Sequence, residues 1–115
     1  DLRAGSPTGG ATACFDLGGS GDGSGAAAHD GVYIPPGVAH GFATLTDVTI
    51  TYLVDAYYDP ADELGVAWDD PVIAADWGLG SRAPVLSERD LANPGVAGIP
   101  DGIRPGWASA GGVGR

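Results

Sequence analysis

The sequence predicts an all-β fold, an antiparallel β-sandwich or barrel, and three observations carry that reading. Its apolar segments are short and alternate with a period of two, turn residues bound each of them, and no long amphipathic helix interrupts them. The alternation is clearest at residues 48–55. There Val48, Ile50, Tyr52 and Val54 fall on one face and Thr49, Thr51, Leu53 and Asp55 on the other, the pattern of a half-buried strand.

Taken in order, residues 11–17 form a weak strand candidate. The run Gly18-Gly19-Ser20-Gly21-Asp22-Gly23-Ser24-Gly25 then reads as a flexible loop, because glycine loses the most conformational freedom on ordering. Residues 32–34 form a short strand that Pro35-Pro36 ends, since proline has no N–H to give to a ladder. Residues 41–45 and 48–55 are the best-matched pair, joined by the polar turn Thr46-Asp47. Tyr57 and Tyr58 lead into the turn Asp59-Pro60. As neighbours at a strand exit they are expected to face opposite ways, one packing and one presenting its ring. Asp69-Asp70 before Pro71 reads as a turn without chemistry. Ser87, with Asp90 three residues on, starts the single helix expected, and Pro94 limits it to a turn or two. Residues 95–115, rich in Gly and Pro, read as a mobile or loosely draped tail.

A chain of 115 residues fits one domain and should bury roughly 60–68% of its unfolded surface. The formal charge is −10 and all five cations are arginines, so no basic stripe exists for nucleic acid or an anionic membrane. The acidity itself reads as a self-repelling, solvated surface. Cys14 is the one cysteine; no intrachain disulfide or cysteine-based metal cluster is expected, and a buried, inert thiol is its default. No apolar run reaches the ~18–20 residues of a membrane span, and nothing resembles a signal peptide, so a cytoplasmic protein is expected. Methionine and lysine are both absent. The first absence implies that the chain does not begin at its own initiator.

Several residues admit two readings. His40 precedes a strand in phase with Phe42 and Thr44; it either caps a sheet end or faces a ligand. The other histidine, His29, lies in the glycine-rich region, and the closely spaced His pair plus carboxylate of a metal site is missing. Tyr52 is either a core tyrosine whose hydroxyl finds a partner or a phenol held on a strand to donate a proton. Asp90 is either the far end of a capping box opened by Ser87 or a carboxylate that orients a histidine and raises its basicity. Arg82 and Arg89 are cations available for phosphate.

The string Tyr33-Ile34-Pro35-Pro36-Gly37-Val38-Ala39-His40-Gly41-Phe42, then Tyr52, Tyr58-Asp59-Pro60 with Glu63, Trp68-Asp69-Asp70-Pro71, Asp76-Trp77 and Leu86-Ser87-Glu88-Arg89-Asp90, resembles the dTDP-4-dehydrorhamnose 3,5-epimerase family. The opening Asp1-Leu2-Arg3-Ala4-Gly5-Ser6-Pro7-Thr8 resembles that family's mid-barrel strand end and turn. The resemblance runs to about Pro94 and covers the C-terminal part of the family's domain, with residues 95–115 as its tail. It implies a cupin-like jelly roll, incomplete in this chain, that dimerises when complete. It also implies inversion of carbons beside the C4 ketone of a dTDP-4-keto-6-deoxysugar, without metal or organic cofactor. In such chemistry a histidine removes the proton alpha to the carbonyl, a lysine stabilises the enolate oxygen and a tyrosine reprotonates from the opposite face. By position, Tyr52 is the proton donor, Asp90 the partner of the base, and His40 a contact near the oxyanion. Tyr58 stacks on the thymine, and Glu63 and Arg89 contact the substrate.

Three departures accompany the resemblance. The arginine-glycine-leucine-histidine motif that carries the family's base does not occur, no lysine is available for the enolate, and Gly78 follows Trp77 where proline is common. The fragment is therefore expected to be inactive alone. A non-catalytic nucleotide-sugar-binding module and a metal-dependent cupin enzyme stand as alternatives.

Overall fold

The computed structural model describes residues 1–18 and 31–107 of the chain. The Asp1 carboxylate organises the first turn. It accepts from the Arg3 backbone N–H at 3.1 Å, from Arg3 Nε at 2.9 Å and Nη2 at 2.7 Å, and from Ser6 Oγ and Thr8 Oγ1 at 2.6 Å each. Gly5 and Gly10, at φ +77° and +83°, turn the backbone there, and Gly10 N–H closes onto the Asp1 carbonyl at 2.8 Å. Such positive φ values are open to glycine because a Cβ would crowd the backbone.

The far end of the described chain folds back onto this turn. Ala4 N–H donates to Pro105 O and Trp107 N–H to Ala4 O, both at 2.9 Å, forming a parallel bridge between Ala4 and Gly106. The Arg3 guanidinium lies 4.6 Å over the Trp107 ring, a cation–π contact on a cation already neutralised by Asp1. A third segment joins them. Val38 N–H donates to Pro35 O at 3.2 Å, and Pro36 and Gly37 (φ +78°) fill the second and third positions of the turn, as type II geometry asks. Gly37 is pressed so close that a Cβ there would sit 2.8 Å from Pro105 Cβ and 3.2 Å from the Arg3 stem. Residues 105–107, within the 95–115 tail expected to be mobile or loosely draped, thus make specific contacts with the start of the chain.

The one α-helix among the described residues, α1 (Glu88–Ala92), starts where the sequence places it. Ser87 Oγ accepts from Asp90 N–H at 3.1 Å and donates to the Asp90 carboxylate at 2.7 Å. Three 3-10 turns, Pro60–Asp62, Val96–Gly98 and Asp101–Ile103, complete the regular structure. Asp59 caps the first of them, accepting from Ala61 N–H at 2.9 Å. Arg104, the C-cap of the third, ties it to the second, donating from Nη2 to Val96 O at 2.9 Å and Ile99 O at 3.2 Å.

Among the described residues the predicted strands do not pair with one another. Among the described residues no ladder forms along 11–17, 32–34, 41–45 or 48–55, and a bend falls at Leu45 and Thr46. Val48, Ile50, Tyr52 and Val54, the face expected to be half-buried, are all exposed, and so is Leu53 on the opposite face. A strand needs a neighbouring backbone for its N–H and C=O groups and a facing layer for its apolar side. Among the described residues these segments have neither. Cys14, expected to be buried, is exposed for the same reason. The 18–25 loop and His29 fall outside the described residues, apart from Gly18. Among the described residues no helix is long and apolar enough to cross a membrane, and the buried side chains are Val96 and Asp70, each 8% exposed.

Candidate functional site

The bend at Asp55 and Ala56 and the capped turn Pro60–Asp62 shape an open cleft of about 270 Å³. Val54, Ala56, Tyr57, Tyr58, Asp59 and Glu63 line it. The two tyrosines were expected to diverge. Both line the cleft and both are exposed, because the bend ends the strand-like alternation just before them. Asp59 does structural work at the same place, since its cap fixes the turn that separates Tyr58 from Glu63. Glu63 forms an ion pair with Arg89 of α1, so the helix is tied to the rim of the cleft. Tyr58 and Glu63, which the family resemblance implies as substrate contacts together with Arg89, line the same cleft, and Arg89 reaches it through its pair with Glu63.

Arg82 is placed differently. Its Nε donates to Leu79 O at 3.2 Å and its Nη2 reaches Gly78 O at 3.5 Å, so it closes its own turn rather than the cleft. Asp90 lies next to Arg89 on α1, with one carboxylate oxygen held by Ser87. The capping role is thus realised, and the other oxygen accepts nothing among the described residues.

Tyr52 lies beside Phe42, two residues along the chain from His40. The Phe42 and Tyr52 rings lie with centroids 6.5 Å apart, tilted by 47°. His40 Nδ1 is 3.5 Å from its own segment's Val38 O. The next residue, Gly41, packs against Trp77, whose ring would meet a Cβ on Gly41 at 3.1 Å. Trp77 is in turn fixed by its Nε1–H, which donates to Trp68 O at 2.9 Å. No hydrogen bond or ion pair joins His40, Tyr52 and Asp90 among the described residues. There, too, no group of three His, Cys, Asp or Glu side chains converges as a metal site would require.

The departure at Gly78 has a local cause. Gly78 sits at φ +65°, and its N–H donates to Asp76 Oδ1 at 2.9 Å. Proline, locked near φ −65° and without an N–H, can adopt neither feature. Asp70 is the residue that the sequence reading passed over. Its Oδ1 accepts from Val72 N–H and its Oδ2 from Val96 N–H, both at 2.8 Å. These bonds, that from Val96 foremost, hold its carboxyl below the ordinary value of 3.8 against the opposing effect of burial. The Asp-Pro turn signalled the Val72 contact; nothing local signalled Val96.

The cleft thus gathers two phenol rings and a carboxylate, with the Arg89 guanidinium paired to that carboxylate. The chain belongs to the dTDP-4-dehydrorhamnose 3,5-epimerase family, whose pattern it matches over residues 1–97, a family of cupin-type fold. It is 38% identical over 101 residues to a dTDP-4-dehydrorhamnose 3,5-epimerase of Sinorhizobium fredii, covering 87% of this chain and 48% of that protein. It is 42% identical over 91 residues to a dTDP-4-dehydrorhamnose 3-epimerase of Streptomyces niveus, covering 78% of this chain and 40% of that one. With the Neisseria gonorrhoeae dTDP-4-dehydrorhamnose 3,5-epimerase it shares 40% identity over 93 residues, 80% of this chain and 26% of the relative. The chain thus spans half or less of the length of these relatives. No solved structure gives a significant match.

Proposed function

We propose that this chain is part of a dTDP-4-dehydro-6-deoxyhexose 3,5-epimerase that inverts C3, C5 or both beside the C4 ketone, in deoxysugar (dTDP-L-rhamnose) biosynthesis. The observation that carries the proposal is the shared cleft of Tyr58 and Glu63 with Arg89 paired to its rim, in a member of this family. Tyr58 offers its ring to the thymine, and Glu63 and Arg89 exchange their mutual pairing for contacts with substrate. Tyr52 returns a proton to the carbanion carbon, its phenol acting as the general acid. The free oxygen of Asp90 orients the histidine base, and His40 lies near the oxyanion. In the complete protein, residues 32–34, 41–45 and 48–55 become strands of a jelly roll whose missing layers cover their exposed faces. That protein is a cytoplasmic homodimer.

The absence of lysine and of the arginine-glycine-leucine-histidine motif favours a second reading of the chain by itself, a nucleotide-sugar-binding module without turnover. Both readings require Tyr58. Titration calorimetry with thymidine 5′-diphosphate tests this, because base–aromatic stacking contributes about 1–3 kcal/mol. Tyr58→Ala should weaken binding roughly 5–150-fold, while Tyr58→Phe keeps the ring and the affinity. Equal affinity for Tyr58→Ala and wild type would remove the tyrosine from the nucleotide site.

A further inference from the structure

We propose that Asp70 is a positioning residue for α1, and through it for Arg89 and Asp90; its bearing on substrate rests on the function proposed above. Four consecutive residues beyond the helix clamp onto the 65–70 segment. Asn93 lies so close to Gly65 that a Cβ there would overlap its amide. Pro94 O accepts from Ala67 N–H at 2.8 Å. Gly95 passes where a Cβ would stand 2.8 Å from Asp70 Oδ2, and Val96 N–H donates to that same oxygen at 2.8 Å. The helix has only five residues, too few to hold its own shape in water, so its direction follows from its two anchors. The Arg89–Glu63 pair is one and the clamp closed by Asp70 is the other.

The residue type matters. The two oxygens of Asp70 serve different segments, Oδ1 the 71–74 turn through Val72 and Oδ2 the chain leaving α1 through Val96. An asparagine of the same shape has one acceptor and one donor, so it satisfies one segment and presents an N–H to the other. Aspartate is the residue of this size that binds both.

Amide hydrogen exchange on the full 115-residue chain, with thymidine 5′-diphosphate titrations alongside, tests the proposal. Two variants cut the contact from opposite ends. Asp70→Asn removes an acceptor. Val96→Pro removes the donor at the first position of a 3-10 turn, where proline is tolerated and Gly95 already has the extended backbone (φ −66°, ψ 161°) that precedes it. Both should speed exchange at Leu91, whose N–H donates to Ser87 O inside α1, about tenfold or more, and both should weaken nucleotide binding severalfold. Gly10 N–H, bonded to Asp1 O, should keep its rate. If Gly10 accelerates as well in Asp70→Asn, that variant has unfolded and Val96→Pro decides. Leu91 exchanging at the wild-type rate in a folded variant overturns the proposal. Accelerated Leu91 with unchanged affinity overturns the link to the site. A wild-type chain that binds no thymidine 5′-diphosphate refutes the nucleotide reading instead, and Leu91 alone then judges the positioning role.

Discussion

Gly37 is the place where three segments distant in sequence meet, and replacing it tests the packing most sharply. Gly37→Ala meets two obstacles. Its φ of +78° costs an L-residue about 1–2 kcal/mol. The new methyl would also lie 2.8 Å from Pro105 Cβ and 3.2 Å from the Arg3 stem, an overpacking worth about 1–3 kcal/mol. Gly10→Ala isolates the first obstacle, because Gly10 has a similar φ of +83° but nothing within 4 Å of a Cβ. Both variants reduce the freedom of the unfolded chain equally, so that contribution cancels between them. Urea unfolding followed by tryptophan fluorescence is a suited assay, since Trp107 lies under Arg3 at the same junction. Gly37→Ala should be less stable than Gly10→Ala by about 1–3 kcal/mol. Equal losses would refute the claim that residues 3, 37 and 105 converge.

Other perturbations test separate contacts. Gly78→Pro loses both the positive φ and the N–H that Asp76 accepts, and should destabilise by about 2 kcal/mol or more in the same urea assay. Trp77→Phe loses both the donor to Trp68 O and the benzo-ring atoms that lie against Gly41, and should cost at least about 0.5–1.5 kcal/mol by thermal unfolding. The Asp70 carboxyl is held below its unfolded value of 3.8. Its contribution to stability is therefore full above that value and lost as pH falls through the folded one. The stability gap between wild type and Asp70→Asn should accordingly narrow as urea midpoints are followed from neutrality to below pH 3.8.

What could be read from the sequence was local. The Ser87–Asp90 cap spans three residues and the Asp59-Pro60 turn is capped across two, and each is found where residue chemistry alone puts it. The contacts that shape the chain are long-range. Asp70 meets Val96 across 26 residues, Arg3 meets Trp107, and neither pair leaves a periodicity to detect. The strand pattern of residues 48–55 is equally plain in the sequence, yet alternation states only which side wants burial. The partner that supplies the ladder and the cover is a property of other segments. The site divides the same way. Tyr58 and Glu63 sit either side of one short turn and could be joined from sequence, whereas the joint action proposed for His40, Tyr52 and Asp90 requires elements that bring those segments together.

This chain is proposed to hold the nucleotide-binding and proton-returning part of an epimerase without the base and the lysine that start the reaction. The most direct measurement follows the chain by itself with a dTDP-4-keto-6-deoxysugar in deuterated water, reading deuterium at C3 and C5 by NMR alongside binding. The account predicts that the sugar nucleotide binds and that neither carbon exchanges beyond the uncatalysed rate. Enzyme-dependent exchange at either position by this chain alone would contradict it.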